Sequence, residues 1–122
     1  MRECSYKDGS AHIEFNLPNS NYFNSFKVDT GAVITLLPQS EFKRFFTNKK
    51  LEDGIMKHLN SASGTPMIGY THRVLIHIIG CEENRVMNIC FYNGARALFG
   101  MDMIKAHFRI CFEKDKFFMK IN

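Results

Sequence analysis

The stretch Phe26-Lys27-Val28-Asp29-Thr30-Gly31-Ala32 constrains this chain more than any other, because it sets a carboxylate, a hydroxyl and a glycine between two apolar runs. Apolar residues lead into Asp29, and Val33-Ile34-Thr35-Leu36-Leu37 follows at once. Two buried strands joined by a tight turn satisfy this pattern, and the strands fix where the turn sits. Gly31 allows close backbone approach and dihedrals that a side chain forbids. Thr30 brings a hydroxyl that both donates and accepts, and Asp29 brings the one group of the three that titrates as an acid. Asp, Thr and Gly are also common turn residues, so an ordinary Asx-type turn accounts for the tripeptide taken alone. The apolar flanks, and a second patterned stretch near the C-terminus, favour a functional turn.

The rest of the chain reads as many short strands with one or two short helices. Ala11 to Leu17 alternates apolar and polar residues, residues 18–21 form a turn, and Tyr22 to Val28 leads into Asp29. Val33 to Leu37 reads as a buried strand stopped by Pro38, and Gln39 to Phe46 as a short helix capped by Ser40. Ile55 to Leu59 fits strand or helix equally. Asn60 to Gly69 is small and polar, with Gly64, Pro66 and Gly69, and precedes an alternating strand from Tyr70 to Ile79. Together these read as a hairpin with a glycine-bearing tip. Further strands are expected at Arg85 to Tyr92, Ala95 to Phe99, Phe108 to Phe112 and Phe117 to Ile121, with a helix at Met101 to His107. Such a series points to a closed or nearly closed barrel. The 122 residues suit one domain spanning 1–122, with a core modest enough that a subunit interface would help it.

Composition narrows the function classes. A formal charge of +4, from 16 basic and 12 acidic residues, reads as a solubility feature. No strand face interleaves aromatics with Lys and Arg, so no nucleic-acid partner is expected. No run approaches the roughly 20 apolar residues of a membrane helix, and the N-terminus lacks the apolar stretch of a signal peptide. Cys4, Cys81, Cys90 and Cys111 contain no Cys-x-x-Cys pair and read as reduced intracellular thiols, with Cys90 and Cys111 buried in apolar strands. His72 and His77 are five apart on one strand and so face opposite sides, which argues against a shared metal. No metal and no cofactor are expected.

A single turn-borne Asp is a poor catalyst, since acid–base hydrolysis needs one group to take a proton and another to give one. The chain holds no second Asp-Thr-Gly or Asp-Ser-Gly. A twofold axis beside the turn would supply the missing acid from a second copy.

At three places the sequence resembles the retropepsins, the retrovirus-like homodimeric aspartic proteases. They are the Asp29 stretch followed by Leu36-Leu37-Pro38, the flap-like Ser63-Gly64-Thr65-Pro66-Met67-Ile68-Gly69, and Ala97-Leu98-Phe99-Gly100-Met101-Asp102-Met103-Ile104. The third is similar to the apolar-apolar-Gly-x-Asp-x-apolar signature before the family's short C-terminal helix, in the form seen in retrotransposon and cellular retropepsin-like domains. The resemblance implies a mostly-β, closed barrel of the acid-protease type whose half-site is completed by dimerisation. It implies an aspartic endopeptidase acting on extended peptides, such as a retroelement polyprotein, within the cell, in the cytoplasm or in a virus-like particle. Asp29, Thr30 and Gly31 would be the catalytic turn, and Ala32, Ser63, Gly64, Thr65 and Met67 would contact substrate. The alternative is a catalytically silent, domesticated fold that dimerises or binds peptides, against which the intact Asp-Thr-Gly-Ala argues. Departures from the pattern are Lys27 in the strand before the turn, Phe99 where a smaller Leu is usual, and a flap poor in glycine. Asp102 is expected to cap the helix that follows Gly100, and the apolar tail at 117–121 to pair with its mate across a dimer.

Overall fold

A computed structural model describes residues 1–18, 20–61 and 63–121. Among them run β1 (Arg2–Ser5), β2 (His12–Asn16), β3 (Phe23–Val28), β4 (Leu36–Pro38), α1 (Phe42–Phe45), β5 (Ile55–Asn60), β6 (Pro66–Ile78), β7 (Arg85–Tyr92), β8 (Leu98–Phe99), α2 (Met101–His107), β9 (Phe108–Phe112) and β10 (Lys116–Ile121). Seven strands share a sheet in the order β2-β3-β8-β4-β7-β6-β5, and β2 also pairs with β6. The sheet thereby closes into a ring with β5 outside it, which is the closed, mostly-β architecture expected from the sequence. The length of β6 permits this: β5 pairs along Pro66 to Thr71, and β2 pairs with His77 and Ile78.

Alternation fills the ring. Ile13 and Phe15 of β2, Val74, Ile76 and Ile78 of β6, and Met87, Ile89 and Phe91 of β7 are buried, as period-two side chains on a half-buried sheet should be. Aromatic rings link the elements around the candidate site. Phe15 stacks on Phe26 at 4.6 Å, Phe26 lies 5.5 Å from Phe99, and Phe99 meets Phe108 edge-on at 5.2 Å. Each such ring contributes on the order of 2 kcal/mol by leaving water. The bulk of Phe99 is therefore accommodated as a fully buried ring between β3 and β9, and Lys27 faces outward, exposed.

Several expectations need correction. The run Val33 to Leu37 is not one buried strand: Val33 is 79% exposed, and only Leu36–Pro38 pairs as β4. The expected helix at 39–46 is a 3-10 turn over Gln39–Glu41 followed by the single turn of α1, and Ser40 caps neither. The undecided segment at 55–59 is strand β5, and β6 begins at Pro66, so the hairpin tip is only 61–65. Asn19 of the expected turn and Ala62 of the tip lie outside the described residues. Cys90 is buried but Cys111 is exposed, because β9 is an outer strand of a second sheet ordered β1-β10-β9. In that sheet β10 pairs with β1 on one side and β9 on the other, so the apolar tail is an inner strand of its own chain and not an open edge. Among the described residues no helix is long and apolar enough to cross a membrane.

Candidate active site

The turn after β3 is held by its neighbours in the ring. β8 pairs parallel with β3, Lys27 beside Leu98 and Val28 beside Phe99, so both strands end at the same level. The Asp29 amide then donates to the Phe99 carbonyl at 3.0 Å, and the Ala32 amide closes the turn on the Asp29 carbonyl at 3.1 Å. The Gly31 amide donates to Asp29 Oδ1 at 2.9 Å. That bond fixes one carboxylate oxygen. A Cβ on Gly31 would stand 3.2 Å from the same oxygen, so a side chain there would press on the acid.

The second motif braces the turn from behind. The Met101 amide donates to the Ala32 carbonyl at 2.8 Å and the Asp102 amide to the Val33 carbonyl at 3.1 Å. Thr35, fully buried, donates its hydroxyl to Asp102 Oδ1 at 2.9 Å and accepts the Gly100 amide at 3.0 Å. Gly100 must be glycine for want of room, since a Cβ would meet the Ile34 carbonyl carbon and oxygen at 2.5 Å. Gly100, not Asp102, occupies the N-cap position of α2 and has no side chain to bond, but Asp102 Oδ1 accepts the first-turn Met103 amide at 2.8 Å. Asp102 thus satisfies a first-turn amide of α2, in keeping with the expected capping role though from inside the helix, and through Thr35 it also ties the helix start to the chain beyond Asp29.

Asp29 opens onto a cleft of about 820 Å3 bounded by the turn, the β5–β6 hairpin and the loop before β8. Of the residues singled out by sequence, Asp29, Gly31, Ala32, Ser63 and Met67 line this cleft together. Thr30, Gly64 and Thr65 do not. Thr30 is exposed on the turn, and its hydroxyl has no partner among the described residues. Gly64, at φ +81°, turns the hairpin tip. Around it Ser61 Oγ lies 2.8 Å from Ser63 Oγ and accepts the Thr65 amide at 2.9 Å, while the Ser63 and Thr65 hydroxyls are 3.2 Å apart. These bonds shape the tip with side chains where glycines would otherwise bend it.

Sequence reasoning missed Lys57, Tyr92 and Arg96, which also line the cleft. The signal for Arg96 was its place between the Asn93-Gly94 turn and the apolar Ala97-Leu98-Phe99. Tyr92 is buried; its hydroxyl donates to the Arg96 carbonyl at 2.9 Å and accepts the Arg96 amide at 3.0 Å. Tyr92→Phe should cost about 1 kcal/mol of stability and loosen the loop, read as a lower urea midpoint with unchanged slope. Burial pushes the thiol of Cys90, in β7, up, against a hydrogen bond from Thr71 and the charge of Lys57, which pull it down. Among the described residues no group of three or more His, Cys, Asp or Glu side chains is placed to hold a metal.

One chain thus offers a single oriented carboxylate on the lining of the cleft. No protein-family model matches the sequence, and no curated protein does. The solved structure of a retropepsin-like aspartic protease from Rickettsia conorii is similar, with a TM-score of 0.69 over 98% of this chain and 99% of that one at 21% sequence identity. The chain has the retropepsin-like fold.

Proposed function

We propose that the chain is an aspartic endopeptidase whose reacting pair is two Asp29 carboxylates, one from each copy in a homodimer. The observation that carries this reading is the Asp29 carboxylate itself: one oxygen is fixed by the Gly31 amide, and the turn bearing it is exposed at the open side of the cleft. The exposed Thr30 hydroxyl and the exposed Val33 face the same solvent and would be covered by a second copy. Phe112, half exposed, lines a shared groove with Val28 and so extends that surface onto β9. Since β10 is already paired on both sides, contact between copies would use β9 or β1 and not the apolar tail.

Two carboxylates at hydrogen-bonding distance share one proton, a pattern for which aspartic proteases are the standard example. The ionised member takes a proton from a bound water, which attacks the scissile carbonyl as the protonated member gives its own proton to the carbonyl oxygen. A gem-diol forms. The proton taken from water then passes to the departing amine, the C–N bond breaks as one gem-diol hydroxyl returns its proton to the other carboxylate, and the pair again holds one shared proton. Thr30 would bond across the axis and hold the two turns coplanar. Substrate would lie extended along the cleft as an added strand, with Ala32 beneath it and Ser63, Gly64, Thr65 and Met67 of the β5–β6 hairpin closing over it. Polyproteins of a retroelement, processed inside the cell or a particle, are the substrate class this reading favours.

The test is incubation of pure protein with a peptide library at acidic and neutral pH, alongside light scattering for the dimer. Cleavage by a dimer supports the reading, and activity in a strict monomer opposes it. The rate should follow a bell between about pH 3 and pH 8, falling when both acids are protonated and again when both are ionised. A single rise toward alkaline pH would indicate a His or Cys catalyst instead.

A further inference from the structure

We propose that Lys57 and Arg96 make the cleft selective for peptide segments carrying a carboxylate side chain beside the scissile bond; this rests on the peptidase reading above. Both residues line the cleft and both are exposed. Neither is paired with a carboxylate among the described residues, where the ion pairs are Lys7 with Glu14 and Lys116 with Glu3. Among the described residues Asp29 is the only acidic one on the lining. Across a twofold axis, four such cations would face a pair of acids sharing one proton, leaving the site with excess positive charge that a neutral peptide would not satisfy.

The two cations are mounted on structure. The Tyr92 hydroxyl clamps the Arg96 backbone from both sides, as described above. The Asn93 side chain accepts the Ile68 amide at 3.1 Å, and the Asn93 amide donates to the Ile68 carbonyl at 3.2 Å, so the Arg96 loop is tied to the hairpin. Lys57 stands in register with Gly69, and Gly69 with Tyr92, placing the lysine and the tyrosine in one row across β5, β6 and β7. No side chain fits at the glycine between them, because a Cβ there would lie 2.4 Å from Cys90 Sγ. An arginine fork engages a carboxylate through two parallel bonds, which an amide cannot reproduce.

The experiment uses a pool of random decapeptides and a matched pool in which Asp and Glu are replaced with Asn and Gln. Cleavage is read by mass spectrometry, and retention of intact peptides is measured on immobilised Asp29→Asn protein. The parent should favour Glu over Gln by roughly fivefold in kcat/KM at one or more positions, and added salt should shrink the preference. Arg96→Glu and Lys57→Glu should each reduce or invert it, with Arg96→Gln and Lys57→Gln intermediate. Melting temperature and dimer content are checked for every variant. Equal cleavage of the two pools by the parent would overturn the selectivity alone. A preference untouched in all four variants, or a rate loss that merely tracks loss of dimer, would do the same. Selective retention of the acidic pool without any cleavage would support the selectivity and count against the peptidase. Neither cleavage nor selective retention would overturn both.

Discussion

Asp29→Asn is expected to abolish peptide cleavage while leaving the chain folded. The amide keeps the oxygen that accepts the Gly31 N–H at 2.9 Å, and the backbone bonds of the turn do not involve the side chain. What disappears is the group that takes a proton from water. The loss should be at least about a thousandfold in kcat/KM, the upper part of what general acid–base groups supply. In a dimer the change also removes repulsion between two acids, so the melting temperature should hold or rise. An inactive variant that also melts well below the parent would make Asp29 a structural residue, and the peptidase reading would fail.

Thr35→Val should have the largest effect on stability. Valine matches threonine in shape, so packing against the core changes little, but the Gly100 amide loses its acceptor and Asp102 Oδ1 loses the hydroxyl donor. Each unsatisfied buried group costs about 1–3 kcal/mol, and Asp102 keeps its bond from the Met103 amide at 2.8 Å. A net loss of about 2–4 kcal/mol is expected from urea unfolding. Thr35→Ser keeps the hydroxyl and loses one methyl, at about 1 kcal/mol. The order parent, Thr35→Ser, Thr35→Val should also hold for cleavage rate, since the same bonds seat α2 against the Ala32 and Val33 carbonyls beside Asp29. A valine variant as stable as the serine one would show that these hydrogen bonds contribute nothing net.

Local pattern made much of this legible. Arg85 to Tyr92, Met101 to His107 and Phe108 to Phe112 match the observed elements residue for residue, because alternation, a Gly stop and a change of period mark their ends. The turn at Asp29 was legible because apolar strands frame it. The failures share a cause in non-local pairing. Val33 and Ile34 read as buried strand, yet the carbonyls of Ala32 and Val33 are taken by the first amides of α2. β1, a mixed stretch with no alternation, is a strand only because β10 pairs with it. Lys57 and Arg96 reach one cleft through the register of β5, β6 and β7 and the loop that follows, which no local window reveals. Thr35 stood in plain view as a lone hydroxyl in an apolar run, and a fully buried polar group there implies partners.

Shared use of one site by two chains is tested most directly by mixing. Parent and Asp29→Asn protein are unfolded together, refolded at fixed total concentration and assayed at each ratio. If both acids are required, only parent–parent dimers work, and activity follows the square of the parent fraction, reaching about one quarter at equal amounts. If each chain works alone, activity declines in proportion and stands at about one half. The quadratic curve is the expected result, and the straight line would contradict a dyad built from two copies of Asp29.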